Sequence, residues 1–229
     1  MKTDLNILYE DNHIIVVVKP ENVLSQLDST EDEDISNMIK DYLKEKYNKP
    51  GNVYLGLVHR LDRRVSGVMV FAKTSKAASR LSEEIRKQDM KKTYYAIVVG
   101  EVKKSSKIVS HLKKVKIKGN PKAVITKESD GDAKESILNY ELIKSVIIDN
   151  EVFSLVEVDL VTGRYNQIRA QFADINHPIV NDFKYGYRLK NYGDNLGLAC
   201  IEISFNHPIT KDKMTFRHIP TNGIWKSFI

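Results

Sequence analysis

The sequence predicts an α+β fold, built on a mixed, mostly antiparallel β-sheet with flanking helices and loops. Three observations predict it. Apolar, β-branched runs bounded by Gly, Pro, Asn and Asp recur along the chain and dominate it from residue 93 onward. Few segments show the helical spacing of apolar residues, and those are short. No long flexible linker, internal repeat or low-complexity segment interrupts them, so the 229 residues are expected to form a single domain, 1–229.

The elements follow in order. "NILYED" and "HIIVVVKP" read as two strands around the turn "DNH". "KPENVLSQLDSTEDED", residues 19–34, is polar and reads as a loop. "ISNMIKDYLKEKY" has Ile35, Met38, Ile39, Tyr42 and Leu43 at helical spacing, with acids ahead of it to suit a helix N-terminus, and "NKPG" breaks it. "GVMVFAK" is a buried strand. "TSKAASRLSEEIRKQD" is a helix, with Thr74 or Ser75 as N-cap and Ala78, Leu81 and Ile85 on one face. "TYYAIVVGEV", "KIVSHLKKVKI", "KAVITKES", "ESILNYELIKSV" and "VFSLVEVDLV" are successive strands. "NQIRAQFADIN" is a short amphipathic helix with Ile168, Phe172 and Ile175 on one face, and "LACIEISFNHP" and "MTFRHIP" close with strands. The Lys- and Asp-rich stretch 103–135 is expected to be the least well packed part.

Composition excludes several classes. No run of about 18 apolar residues exists, so no membrane partner is expected. The N-terminus lacks an uninterrupted apolar stretch of the signal-peptide kind. Cys200 is the only cysteine, so no internal disulfide forms and a reducing cytoplasm is the simplest setting. There is no phosphate-binding loop and no dinucleotide fingerprint, so no nucleotide cofactor is expected. The six histidines are scattered and none pairs at metal spacing, so no metal site is expected.

Charge is uneven. Residues 1–50 carry 6 basic and 11 acidic side chains, a net of −5, while residues 51–120 carry 17 and 5, a net of +12. The rest is nearly neutral, so the middle third supplies the whole excess. A field of that size suits a polyanion, nucleic acid first.

Within that third, "VHRLDRRVSGVMVFAK" places Asp62 between Arg60 and the pair Arg63 and Arg64, in a polar turn between two apolar runs. Arginines that close favour the charged form of a carboxylate. Strands on both sides would mount the turn on a rigid edge, as catalytic loops are mounted. From the residues alone the Asp is open to several roles: nucleophile, base, metal ligand or structural ion-pair partner.

"HRLDRRVSGVMVFAK" resembles the signature H-R-L-D-x-x-[ST]-S-G of the RluA-type pseudouridine synthases, with Val65 where the family has Thr or Ser. "LYEDNHIIVVVKP" resembles the family's opening strands. "KTYYAIVVGEV" resembles K-x-Y-x-A-x-V-x-G, with Tyr94 at its tyrosine position. "TGRYNQIRAQFADINHPIVNDFKYG" resembles T-G-R-x-H-Q-I-R-x-x-[LF]-x-x-x-G-H-P-I-x-G-D-x-x-Y-G. It departs at Asn166, where His is common, and at Asn176 and Asn181, where Gly is common. "Leu-Ala-Cys" at 198–200 departs from Leu-His-Ala. Order and spacing hold over roughly residues 5–220.

The resemblance implies a bent sheet of the pseudouridine synthase fold, as a stand-alone catalytic domain without a separate N-terminal RNA-binding domain. It implies conversion of uridine in structured RNA to pseudouridine on a flipped-out base, without cofactor or metal, by a monomer. Ribosomal RNA is favoured over transfer RNA. Asp62 is implied as the catalytic carboxylate, Tyr94 as the stacking partner of the uracil, and Arg169 as an ion-pair partner of Asp62. Arg60, Arg63, Arg64, Lys92 and Gln167 are implied as substrate-binding residues. His59 is expected to pack or hydrogen-bond, and Asp182 to form a turn. Two other readings compete: a glycosidase or nucleoside hydrolase, which usually needs two flanking carboxylates, and a non-catalytic RNA-binding or assembly module.

Overall fold

The structure, a computed structural model, describes residues 5–28, 32–187, 192–193 and 195–228; residues 29–31 of the polar loop 19–34 lie outside the described residues. The chain divides into two compact units, one of residues 1–92 with 200–219 and one of residues 93–199 with 220–229. The sheet is mixed and mostly antiparallel, with three α-helices among the described residues.

In the first unit the run Ile14–Lys19 is a strand, β2, buried along its whole length. It pairs antiparallel with β1 (Asn6–Glu10). The Asp11 carboxylate closes the turn between them by accepting from the backbone N–H groups of His13 and Ile14 at 2.7 and 2.8 Å. Helix α1 (Ile35–Lys46) is capped by Asp34, whose side chain accepts from the Asn37 N–H. The acids ahead of the helix thus supply its cap. A two-residue strand, β3 (Gly56–Leu57), and the buried β4 (Ser66–Ala72) follow, with β2 and β3 each pairing antiparallel to β4. Helix α2 (Ser75–Arg86) starts at Thr74, which accepts from the Ala77 N–H.

In the second unit, β5 (Lys91–Val99), β6 (Ser105–Ile117), β7 (Asn120–Thr126), β8 (Lys134–Ile148) and β9 (Glu151–Leu160) form antiparallel neighbours in the order β5-β9-β8-β6-β7. Lys118–Gly119 and Asp149–Asn150 all have positive φ, as two-residue hairpin turns of the right twist require. Helix α3 (Gln167–Asp174) comes next. Strand β10 (Leu198–Asn206), which begins in this unit and runs into the first, pairs antiparallel with β11 (Lys213–Arg217).

Two expectations are refined. The stretch 103–135 is largely exposed, as its charge suggests, yet it forms a regular hairpin whose Leu112 and Ala123 are buried against Ala170 and Tyr185. Helix α3 is not simply amphipathic: all six residues from Gln167 to Phe172 are buried. Its two glutamines survive burial because the fold supplies acceptors for their carboxamide N–H groups. Gln171 donates to Ser110 Oγ at 2.8 Å and to the Ser136 carbonyl at 3.0 Å. Among the described residues no helix is long and apolar enough to cross a membrane.

Candidate active site

The Asp62 turn is a four-residue reversal closed by the Val65 N–H, which donates to the Asp62 carbonyl at 3.0 Å. Three side chains pin it from beneath. The buried Ser25 hydroxyl donates to the Leu61 carbonyl at 2.7 Å and accepts from the Leu61 N–H at 3.1 Å. His59 accepts from the Val70 N–H through Nε2 at 3.1 Å. Burial, with the Lys92 charge, pushes its pKa down to about 3, so the ring is neutral and structural, as expected of it. The third is Lys19, the last residue of β2. It is fully buried, and its ammonium donates to the carbonyls of Pro20, Val23 and Arg63 at 2.8, 2.8 and 3.1 Å. Burial lowers its pKa to about 7, against the pull of the Asp62 and Glu21 charges.

The turn thus has a fixed main chain on both sides of Asp62, whose own side chain is half-buried. Arg60 is exposed beside it. Arg63 is exposed and bonded to Asp32 at 2.6 Å and to the Asn22 carbonyl at 3.2 Å. The glycine of the motif has a steric cause. Gly67 lies at φ 134°, and a Cβ there would sit 2.2 Å from the Cys200 carbonyl oxygen.

Glu21 was not singled out by the sequence. Burial raises its pKa to about 7, while Lys19 and Arg64 pull it down. A carboxylate whose folded pKa lies above its ordinary 4.5 contributes stability that is complete below pH 4.5 and lost as pH rises through about 7. Glu21→Gln has no charge to bury. Its melting temperature minus that of the wild type should therefore rise between pH 4.5 and 7 and level off above. A flat or falling difference across that window would show a solvated Glu21.

In the second unit, Tyr94 and Tyr95 of β5 are both buried and, as neighbours on a strand, point to opposite faces. Tyr94 lies opposite Val158, which lies opposite Tyr140 on β8. The Tyr140 ring packs on Phe172 of α3 at 5.4 Å. Tyr94 therefore belongs to the sheet face that α3 covers. Arg169, one helical turn before Phe172, sits on that same helix.

Arg169 is buried and held in a bidentate pair by Asp182, Nε to Oδ2 at 2.7 Å and Nη2 to Oδ1 at 2.8 Å. Asp182 is fully buried. It also orders a turn as expected, its carbonyl accepting from the Tyr185 and Tyr187 N–H groups. What the sequence did not indicate is that its carboxylate aims Arg169. Asn181, just before it, has φ 62°, and Asn176 has φ 63°. These are the two positions where the resembling family has Gly, and Asn tolerates the same left-handed conformation. Asn181 adds donations to the Gly193 and Asn195 carbonyls at 2.9 and 2.7 Å.

Gln167 is buried. Its carboxamide accepts from Thr162 and from the Arg164 N–H, and donates to the Ile137 carbonyl. These bonds lock the entry to α3, a task in the fold that its place in the motif did not suggest. Lys92 is half-buried, with its pKa lowered by that burial against the pull of Cys200. Lys19, Glu21 and Ser25 are the residues that sequence reasoning passed over; only a Lys at a strand end was there to be noticed.

The chain is 33% identical over 231 residues to the ribosomal large subunit pseudouridine synthase C of Buchnera aphidicola subsp. Baizongia pistaciae, covering 97% of this chain and 69% of that protein. It is 31% identical over 232 residues to the tRNA pseudouridine synthase C of Yersinia pestis, covering 92% and 84%. In fold it is similar to Human RNA Pseudouridylate Synthase Domain Containing 1, with a TM-score of 0.75 at 20% identity over 95% of this chain and 84% of that one. The family model for RNA pseudouridylate synthase matches residues 13–174, a span that contains Asp62, Tyr94 and Arg169. The chain belongs to the RNA pseudouridylate synthase family and is an isomerase.

Proposed function

We propose that this protein isomerises specific uridines of a structured RNA, with Asp62 as the catalytic carboxylate. The observation that carries the reading is the Asp62 turn. Its main chain is clamped at Leu61, Asp62 and Arg63. Such preorganisation is what an acid-base or nucleophilic group needs. In the reaction the bond between uracil N1 and ribose C1′ breaks, the base turns, and a bond forms from C1′ to C5. The proton on C5 is lost and one is gained at N1, so atoms balance without an oxidant or a co-reactant.

The remaining residues take roles around that carboxylate. A paired uridine is out of reach, so the base is flipped out at a cost of about a few kcal/mol, and Arg60 fills the space it leaves. Tyr94 stacks on the uracil. Arg169, held by Asp182, takes the part of the ion-pair partner that the family resemblance implies. Arg63, Arg64 and Lys92 contact the RNA. The buried thiol of Cys200 fits a reducing cytoplasm. Ribosomal RNA is the substrate favoured from the sequence, and the curated relatives are named for ribosomal and for transfer RNA alike.

The test is to incubate the purified protein with unmodified transcripts of large-subunit ribosomal RNA and of a set of transfer RNAs, and to map pseudouridine at single-nucleotide resolution. Pseudouridine at defined positions in one class is the expected result. Free uracil with an abasic site would replace the reading with hydrolysis. Binding without conversion of any transcript would replace it with a non-catalytic RNA-binding module.

A further inference from the structure

Lys113 and Lys114 are neighbours on β6, so their side chains leave opposite faces of the hairpin. Lys113 bonds to Asp130 at 2.7 Å and faces Asp132 at 3.7 Å. Lys114 instead lies 4.7 Å from the centre of the Tyr165 ring, which is 37% exposed. Lys184 approaches the same ring at 5.4 Å and donates to its hydroxyl at 3.3 Å. Lys122 lies 4.9 Å over the ring of Tyr185, which the Arg169 guanidinium also approaches at 5.1 Å.

These groups are held in one place by the fold. The Tyr185 hydroxyl accepts from the Ala123 N–H at 2.9 Å and donates to Asn166 at 3.2 Å. The Tyr165 hydroxyl donates to the Pro121 carbonyl at 3.4 Å. The hairpin, the turn before α3 and the segment after Asp182 are thereby joined. A cation over an aromatic face is positioned without being neutralised. Basic side chains interleaved with tyrosines are the composition of a surface that follows a nucleic-acid strand, with ammonium groups on phosphates and rings against bases.

We propose that Lys114, Lys122 and Lys184, with Tyr165, form an RNA-binding surface that grips phosphates of the substrate RNA. The proposal rests on the reading of the chain as an enzyme acting on RNA. Lys113, held by Asp130 and Asp132, takes no part.

The experiment measures the affinity of a fluorescent, unmodified tRNA transcript for the full chain as a function of salt, with pseudouridine formation assayed in the same samples. Lys114→Ala, Lys122→Ala and Lys184→Ala should each weaken binding. The triple variant should lower the slope of log K against log salt by about 2, from about 0.7 to 0.9 per phosphate lost. Lys113→Ala should leave the slope unchanged. Melting temperatures confirm that the variants are folded. An unchanged slope in the triple variant would overturn the proposal. So would an equal loss in Lys113→Ala, which would show only a diffuse positive field. If the slope falls in the triple variant and not in Lys113→Ala, but the wild type modifies neither this transcript nor ribosomal RNA, the Asp62 reading fails and the binding surface stands.

Discussion

Asp62→Asn should fold, bind RNA and form no measurable pseudouridine. The ties that hold this turn run through the main chain: the Asp62 carbonyl to Val65, both backbone groups of Leu61 to Ser25, and the Arg63 carbonyl to Lys19. None depends on the carboxylate, and Asn has nearly the same shape. What disappears is the negative charge and the basic oxygen. Loss of a general acid-base group alone costs about 10²–10⁴-fold in rate, and loss of a nucleophile removes the pathway. The measurement is single-turnover pseudouridine formation by a homogeneous preparation, beside its melting curve. Turnover near the wild-type rate would place the chemistry on another carboxylate. A collapsed melting temperature would show that the side chain, and not only the backbone, builds the turn.

Asp182→Asn should be the most destabilising conservative change in the second unit. Asp182 and Arg169 are both buried, and two short bonds join them. Removing the Asp182 charge breaks this buried ion pair, which costs about 3–5 kcal/mol. For a chain of this size each kcal/mol is roughly 2–4 °C, so the melting temperature should fall by about 6–20 °C. The turn itself should persist, since it is made by the Asp182 carbonyl and N–H. Replacing both partners together, Arg169→Met with Asp182→Leu, should recover much of the loss while leaving the protein inactive. A single variant that melts within a degree of the wild type would mean that water solvates the pair.

Much of this architecture was legible before any coordinates. The strands were readable because burial on a sheet selects β-branched runs, and "HIIVVVK" and "VMVFA" have no other use for such side chains. The start of α2 at Thr74 or Ser75 was readable because a helix start leaves N–H groups that a short polar side chain satisfies. Helix α3 was read as amphipathic and is buried on all sides, because pattern counts polar residues as outward and cannot see the carbonyls that Gln167 and Gln171 find. The same blindness hid Lys19. By composition it is one more lysine at the end of a strand, but in the fold three carbonyls converge on its ammonium beneath the candidate catalytic turn.

By itself the sequence determined the order and type of the elements, the basic middle third, and the motif around Asp62. These are local properties: a periodicity, a cap, a charge count, a spacing. The tertiary structure alone decided which groups answer one another across long separations. Ser25 holds Leu61, Asp182 holds Arg169, and Lys114 meets Tyr165 while its neighbour Lys113 meets Asp130. A hydrogen bond or ion pair is set by distance in space. Only a sheet register and a buried helix bring residues dozens of positions apart to within about 3 Å.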